Sequence, residues 1–205
     1  MSVAHSEQVR ILEDHGQESG RSMNWWGMAF FISSEALIFA NLIAAYLYLE
    51  IRNSGGPVWR LDNVLYPAIN TVILLSSSAT VHLAGSGIRK GNTKQLMFGL
   101  AGTIILALIF LSGQAYEYVT LITGPEHFTI SSSIFGSAFF TLTGFHGLHV
   151  TIGAIFLTIC LIRASRGHFS KEKHFAVEAA EMYWHFVDVV WVFVFTLVYL
   201  VPLLR

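Results

Sequence analysis

The chain has 205 residues, 54% of them hydrophobic and only 12% charged, about half the roughly 25% charged share usual in soluble domains. So few charges cannot cover the surface of a soluble domain of this size. The near balance of 12 Lys+Arg against 13 Asp+Glu, a net charge of −1, argues against a nucleic-acid partner, and a single cysteine excludes a disulfide framework.

Residues 1–23 open with a polar stretch of mixed charge that lacks the apolar core of a secretory signal, and they read as a flexible N-terminal tail. Residues 24–205 read as one all-α transmembrane bundle. A bilayer core needs about 20 predominantly apolar residues to cross as a helix. Five segments qualify, at about 24–49, 65–88, 95–122, 132–162 and 177–203. Between them lie SGGP at Ser54 to Pro57, RKGN at Arg89 to Asn92, TGPE at Thr123 to Glu126 and the charged stretch from Arg163 to Lys173. The fourth span exceeds what a membrane requires and must tilt or protrude. Cys160, inside it, is expected to pack as a small hydrophobe.

Lys and Arg concentrate on cytoplasmic loops. With the N-terminus inside, Arg10, Arg21, Arg89, Lys90, Lys94, Arg163, Arg166, Lys171 and Lys173 fall on the inner side, against Arg52, Arg60 and Arg205 outside. The distribution predicts N-inside, C-outside, with Trp25 and Trp26 at the inner interface.

The informative residues are those that hydrocarbon should exclude. A charged side chain at mid-bilayer costs about 2.5–3.5 kcal/mol on insertion scales, so it faces protein, water or headgroups. On the fifth span Glu178, Glu181, His185, Asp188, Val192, Phe195 and Tyr199 recur at alternating spacings of three and four, which lays them on one helix face. Its first half is ionisable and its second half apolar. On the fourth span His146 and His149 share a face, and Gly147 and Gly153 are expected to let another helix approach. Glu117 lies towards the outer end of the third span. Glu35, halfway along the first, is the deepest acid; a buried carboxylate avoids ionising alone, so it is expected to hold a proton or to bond a neighbour.

Two readings of this set stay open on spacing alone. His-x-x-His on one helix and His-x-x-Asp on another, with glutamates nearby, suggest a di-metal carboxylate bundle. The other reading is interhelical hydrogen bonding. Tyr183, Trp184 and Trp191 read as packing and interface anchors. The hydroxyl runs Ser76 to Ser78 and Ser131 to Ser133 suggest close packing or capping.

Five stretches go further: SSEALIFANLIAAYLYL from Ser33, PAINTVILLSSSATVH from Pro67, AYEY from Ala115, GSAFFTLTGFHGLHVTIGAIFL from Gly136 and HFAVEAAEMYWHFVDVVWVFVFTLVYL from His174. Together they closely resemble subunit III of the haem-copper terminal oxidases, over roughly residues 24–203. The resemblance implies an accessory subunit with no catalytic residue and no metal ligand. Haem and copper are then expected in partner subunits I and II. His146, His149, Glu117, Glu178, Glu181, His185 and Asp188 are expected to be interhelical or lipid-contacting. Glu35 matches the buried carboxylate for which the family is known to react with carbodiimides. Implied partners are subunit I by direct packing, subunit II, a small subunit IV and membrane phospholipids, in a bacterial cell (inner) membrane. The implied role is to support proton uptake and turnover stability. Many family members have seven helices, and the expectation is that this chain begins at the equivalent of the third.

His168, Glu172 and His174, with Lys171 and Lys173, make a candidate proton-collecting loop. The PAINTVILLSSS and EAAEMYWHFVDVVW blocks resemble cytochrome c oxidases more than quinol oxidases, which remain the alternative. A stand-alone membrane metalloenzyme is the alternative of another class. A small transporter is disfavoured because no inverted repeat or broken-helix pair is apparent.

Overall fold

The computed structural model describes residues 22–52, 61, 64–125 and 127–204. Most of the N-terminal tail, the Ser54 to Pro57 break, Arg60, Glu126 and Arg205 lie outside the described residues. Five long apolar helices account for nearly all of the rest: α1 (Met23–Arg52), α2 (Leu65–Arg89), α3 (Thr93–Thr123), α4 (Ile134–Ser165) and α5 (Phe175–Phe195). A π-helical turn, Thr196–Leu200, and a 3-10 turn, Val201–Leu204, continue α5. Among the described residues there is no strand.

Local chemistry sets the helix ends. Asn92 caps α3, its side-chain oxygen accepting from Gln95 N–H at 3.1 Å, so that helix starts two residues before its apolar run. Ser133 caps α4 in the same way through Gly136 N–H, at 2.9 Å. This is the capping role expected of the Ser131 to Ser133 run. α2 and α4 both end in left-handed glycines, Gly91 (φ 75°) and Gly167 (φ 72°). Each allows the paired backbone bonds that close a Schellman turn: Gly91 N–H to Ile88 C=O and Asn92 N–H to Gly87 C=O; Gly167 N–H to Ala164 C=O and His168 N–H to Arg163 C=O. Pro67 sits in the first turn of α2, where a missing N–H costs nothing.

Helices α2, α3, α4 and α5 pack in a closed four-membered ring, each against the next and α5 back against α2. Helix α1 stands outside the ring on the seam between α4 and α5, and buries only Phe39, Tyr46 and Glu50. The α2–α3 and α4–α5 connections gather Arg89, Lys90, Lys94, Arg163, Arg166, Lys171 and Lys173 at one end of the bundle, here termed the basic end.

The ring is filled by Trp184, Trp191, Phe110, Phe139, Leu74 and Leu100, among others. Both indoles find acceptors on α2: Trp184 Nε1–H donates to Ser77 Oγ at 2.8 Å and Trp191 Nε1–H to Thr71 Oγ1 at 2.9 Å. These two tryptophans are therefore packing residues, not interface anchors. Close approach depends on small residues. A Cβ on Gly99 would lie 2.6 Å from both Ala84 N and Thr80 O, so α2 and α3 are in backbone contact there. Gly153 serves α5 similarly, with Trp184 ring atoms at 3.0 Å from such a Cβ. Gly147 does not behave as expected: nothing among the described residues comes within 4 Å of a Cβ there. It lies beside His146 in sequence but points away from the seam.

Candidate functional site

The polar residues singled out in the spans form three layers. Nearest the basic end, Glu181 on α5 meets α2. Its Oε1 accepts from His82 Nδ1–H at 3.0 Å and its Oε2 from Arg89 Nη1–H at 3.2 Å. The carboxylate fits because residue 85 is glycine: a Cβ on Gly85 would collide with Glu181 Oε2 and Cδ. One turn further in, Ser78 Oγ–H donates to Asp188 Oδ2, and His185 Nδ1 lies 3.2 Å from the same hydroxyl oxygen. Ser78, His82, Gly85 and Arg89 are spaced four, three and four along α2. They thus form the antiparallel complement of Glu181, His185 and Asp188.

The middle layer joins α1 to α4. His149 Nδ1–H donates to the Phe145 carbonyl at 2.8 Å, and His149 Nε2 lies 3.0 Å from Glu35 Oε2. A carbonyl only accepts, so the proton on Nδ1 is fixed. The Nε2–Oε2 link then holds one proton, whether the pair is written as imidazole and carboxylic acid or as imidazolium and carboxylate. Either form is neutral overall, which suits apolar surroundings of Phe39 and Phe145 rings. His146 faces the ring interior instead. It is fully buried, its Nε2–H donates to the Val187 carbonyl at 3.2 Å, and its ring lies against Trp191 at 4.6 Å between centroids.

In the third layer, at the far end, Glu117 accepts from the Tyr199 hydroxyl at 3.1 and 3.2 Å, and Tyr118 shares a 2.7 Å hydrogen bond with Thr143. Tyr199 reaches Glu117 from the π-helical turn that follows α5.

At the basic end the remaining candidates are more open. His174 Nε2 pairs with Glu178 Oε1 at 3.1 Å, one turn along α5, and His168 is exposed just past the Gly167 turn. The exposed Glu172 accepts from Ser170 Oγ–H at 2.9 Å, and this bond, with its own backbone N–H, holds its carboxyl below the ordinary carboxylate range.

The α5 stripe and the di-metal reading left open on spacing both look different once the helices are packed. The seven-residue stripe on α5 meets protein only in part. Glu181 and Asp188 are buried against α2, while Val192 turns outward. The centre of the buried face is the Trp184, Val187, Trp191, Val194 and Val198 line, and the stripe runs along its edge. Polar edge residues need partners on α2; an apolar edge residue can meet lipid tails without cost. The di-metal arrangement of His146, His149, His185 and Asp188 does not form either. His146 bonds a backbone carbonyl, His149 bonds Glu35, and His185 and Asp188 bond Ser78. Among the described residues the one metal-compatible cluster of three is instead His82, Glu181 and His185, whose ligand atoms all lie within 4.8 Å of one another. His82 and Arg89 were not singled out from sequence, although their spacing with Ser78 and Gly85 carried the signal.

The fold and these contacts define a multi-pass helical membrane protein whose interior polar groups mostly tie one helix to the next. The profile of the family "Cytochrome c oxidase subunit III" matches residues 6–202. Cytochrome c oxidase subunit 3 of Synechocystis sp. is 41% identical over 194 residues, covering 92% of this chain and 80% of that one. The Drosophila melanogaster and Marchantia polymorpha proteins of the same name are each 44% identical over 182 residues, covering 85% of this chain and 68% and 67% of theirs. The chain belongs to the cytochrome c oxidase subunit III family.

Proposed function

We propose that this chain is an accessory, non-catalytic subunit of a proton-pumping respiratory oxidase that takes electrons from cytochrome c. It packs on subunit I beside subunit II and a small subunit IV, holds phospholipid, and supports proton uptake and turnover stability. The redox centres belong to subunits I and II. The observation that carries this reading is the use made of the interior ionisable groups. Glu35, Glu117, His146, His149, Glu181 and Asp188 are each engaged by another helix. Groups spent on bracing suit a support better than an active site.

The test compares the purified oxidase with and without this chain. Without it, haem and copper spectra and the initial rate of oxygen reduction are expected to persist while activity decays faster during turnover. Loss of a haem or copper signal along with the chain would overturn the reading. The same assay on a His168→Asn/His174→Asn complex addresses the loop. Glu172, with its depressed pKa, stays charged above the ordinary carboxylate range, and the interaction is lost only as pH falls through its folded value. An unchanged pH profile would remove the proton-collecting role.

For topology we infer that the basic end is cytoplasmic, in a bacterial cell membrane. Support comes from the clustering of Lys and Arg there, and from the bacterial relative, which matches 92% of the chain against 85% for the two eukaryotic ones. A Ser170→Cys chain is expected to react with a membrane-impermeant maleimide in inside-out vesicles and not in intact cells, native Cys160 being buried. Labelling in intact cells would reverse the orientation.

A further inference from the structure

We propose that His82, Glu181 and His185 form a binding site for one divalent transition-metal ion of the zinc class, joining α2 to α5 at the basic end of the bundle. Two imidazoles and one carboxylate are a three-ligand zinc set, with the fourth tetrahedral position left to water. The ligand atoms converge within 4.8 Å. The His82 Nδ1 to Glu181 Oε1 distance is already 3.0 Å, so the ion would draw in chiefly the His185 ring. His185 and Glu181 stand four apart on α5, and His82 comes from the facing helix.

The surroundings have the features such a site needs. His185 Nδ1 lies 3.2 Å from Ser78 Oγ, whose hydroxyl proton goes to Asp188, so the imidazole N–H donates to the serine and Nε2 is left with its lone pair free. Orientation of a ligating histidine through its other nitrogen is the usual outer support of a metal site. Arg89 holds Glu181 Oε2 at 3.2 Å, leaving Oε1 for the ion once His82 releases it. Ligating carboxylates are commonly fixed by such a bond. The buried Asp188 Oδ1 has no hydrogen-bond partner among the described residues, which leaves an open acceptor behind His185. The His82 side chain is 65% exposed and lies within two turns of the basic end of α2. The proposal stands on this geometry whether or not the accessory role holds.

The test uses the whole purified oxidase containing this chain, dialysed against zinc chloride, with bound zinc counted by mass spectrometry and located by anomalous scattering at the zinc edge. The complex is expected to bind one zinc ion more than a His82→Asn complex. Ser78→Ala, which removes no ligand, is expected to weaken that zinc about 10–100-fold, as loss of outer support does elsewhere. Equal zinc stoichiometry and affinity in the unaltered and His82→Asn complexes would overturn the proposal, as would zinc density only at other places. Should His82→Asn fail to assemble, unchanged zinc affinity in Ser78→Ala decides against it.

Discussion

Gly99→Val is expected to prevent the chain from accumulating in folded form, while Gly147→Ala leaves it unaffected. At Gly99 the atoms met by a new Cβ are backbone: Ala84 N and Thr80 O, each at 2.6 Å. Backbone cannot rotate aside as a side chain can, so α2 and α3 must separate. Separation also breaks the 2.8 Å Thr80–Thr103 hydroxyl bond across the same crossing. Overpacking costs about 1–3 kcal/mol, and an interhelical hydrogen bond in a membrane about 0.6 kcal/mol on average. The α2–α3 hairpin anchors two sides of the ring, so the loss is not local. No described residue lies within 4 Å of a Cβ added at Gly147, the helix's own backbone aside, and alanine favours a helix over glycine by about 1 kcal/mol. The measurement is the yield of monodisperse oxidase containing each variant, with its thermal midpoint. A Gly99→Val complex as abundant and as stable as the unaltered one would contradict the packing described above.

The second large effect is expected at the Glu35–His149 pair. Glu35→Ala and His149→Leu should each destabilise the attachment of α1 by about 1–3 kcal/mol, the cost of leaving a largely buried polar group without its hydrogen-bond partner. Glu35→Gln should be mild in the same assay. With Nδ1–H of His149 committed to the Phe145 carbonyl, Nε2 can accept from a glutamine amide in the 3.0 Å contact it now makes with Glu35. Glutamine cannot exchange a proton, however. A Glu35→Gln oxidase that assembles normally but loses activity faster in turnover would assign the acid a protonic role; one with full lifetime would make it a brace alone. If Glu35→Ala and Glu35→Gln are equally stable, the pair does not hold α1.

The spans were plain in the sequence because lipid demands long apolar runs, and nothing else in a chain of this length produces five of them. Partnerships were harder to read. Helical spacing places Glu181, His185 and Asp188 on one face, but spacing does not say which helix that face meets, nor how far along it the contact runs. That is why Val192 turned outward although it continues the same spacing. The α2 half of the cluster was legible in principle, as Ser78, His82, Gly85 and Arg89 at four, three and four. Arg89 had an adequate explanation as a loop charge, and glycine carries no chemistry of its own to mark a cradle for a carboxylate. His146 and His149 look equivalent in sequence, three residues apart. One turns into the ring and the other across the seam to α1, a difference set by which neighbour each side of α4 happens to have.

The placement of α1 has a mechanical consequence. Four helices that close on themselves share their load around the ring, and removing any one opens two contacts. Helix α1 rests on the outside, held through ring contacts such as Phe31–Tyr183 and Phe39–Phe145 and through the Glu35–His149 tie. It is the element that can swing away at the lowest free energy, since local opening follows the sparsest packing. Opening that one leaf would bare the whole Glu35 carboxyl, which sits on its inner face, and leave the ring behind it undisturbed.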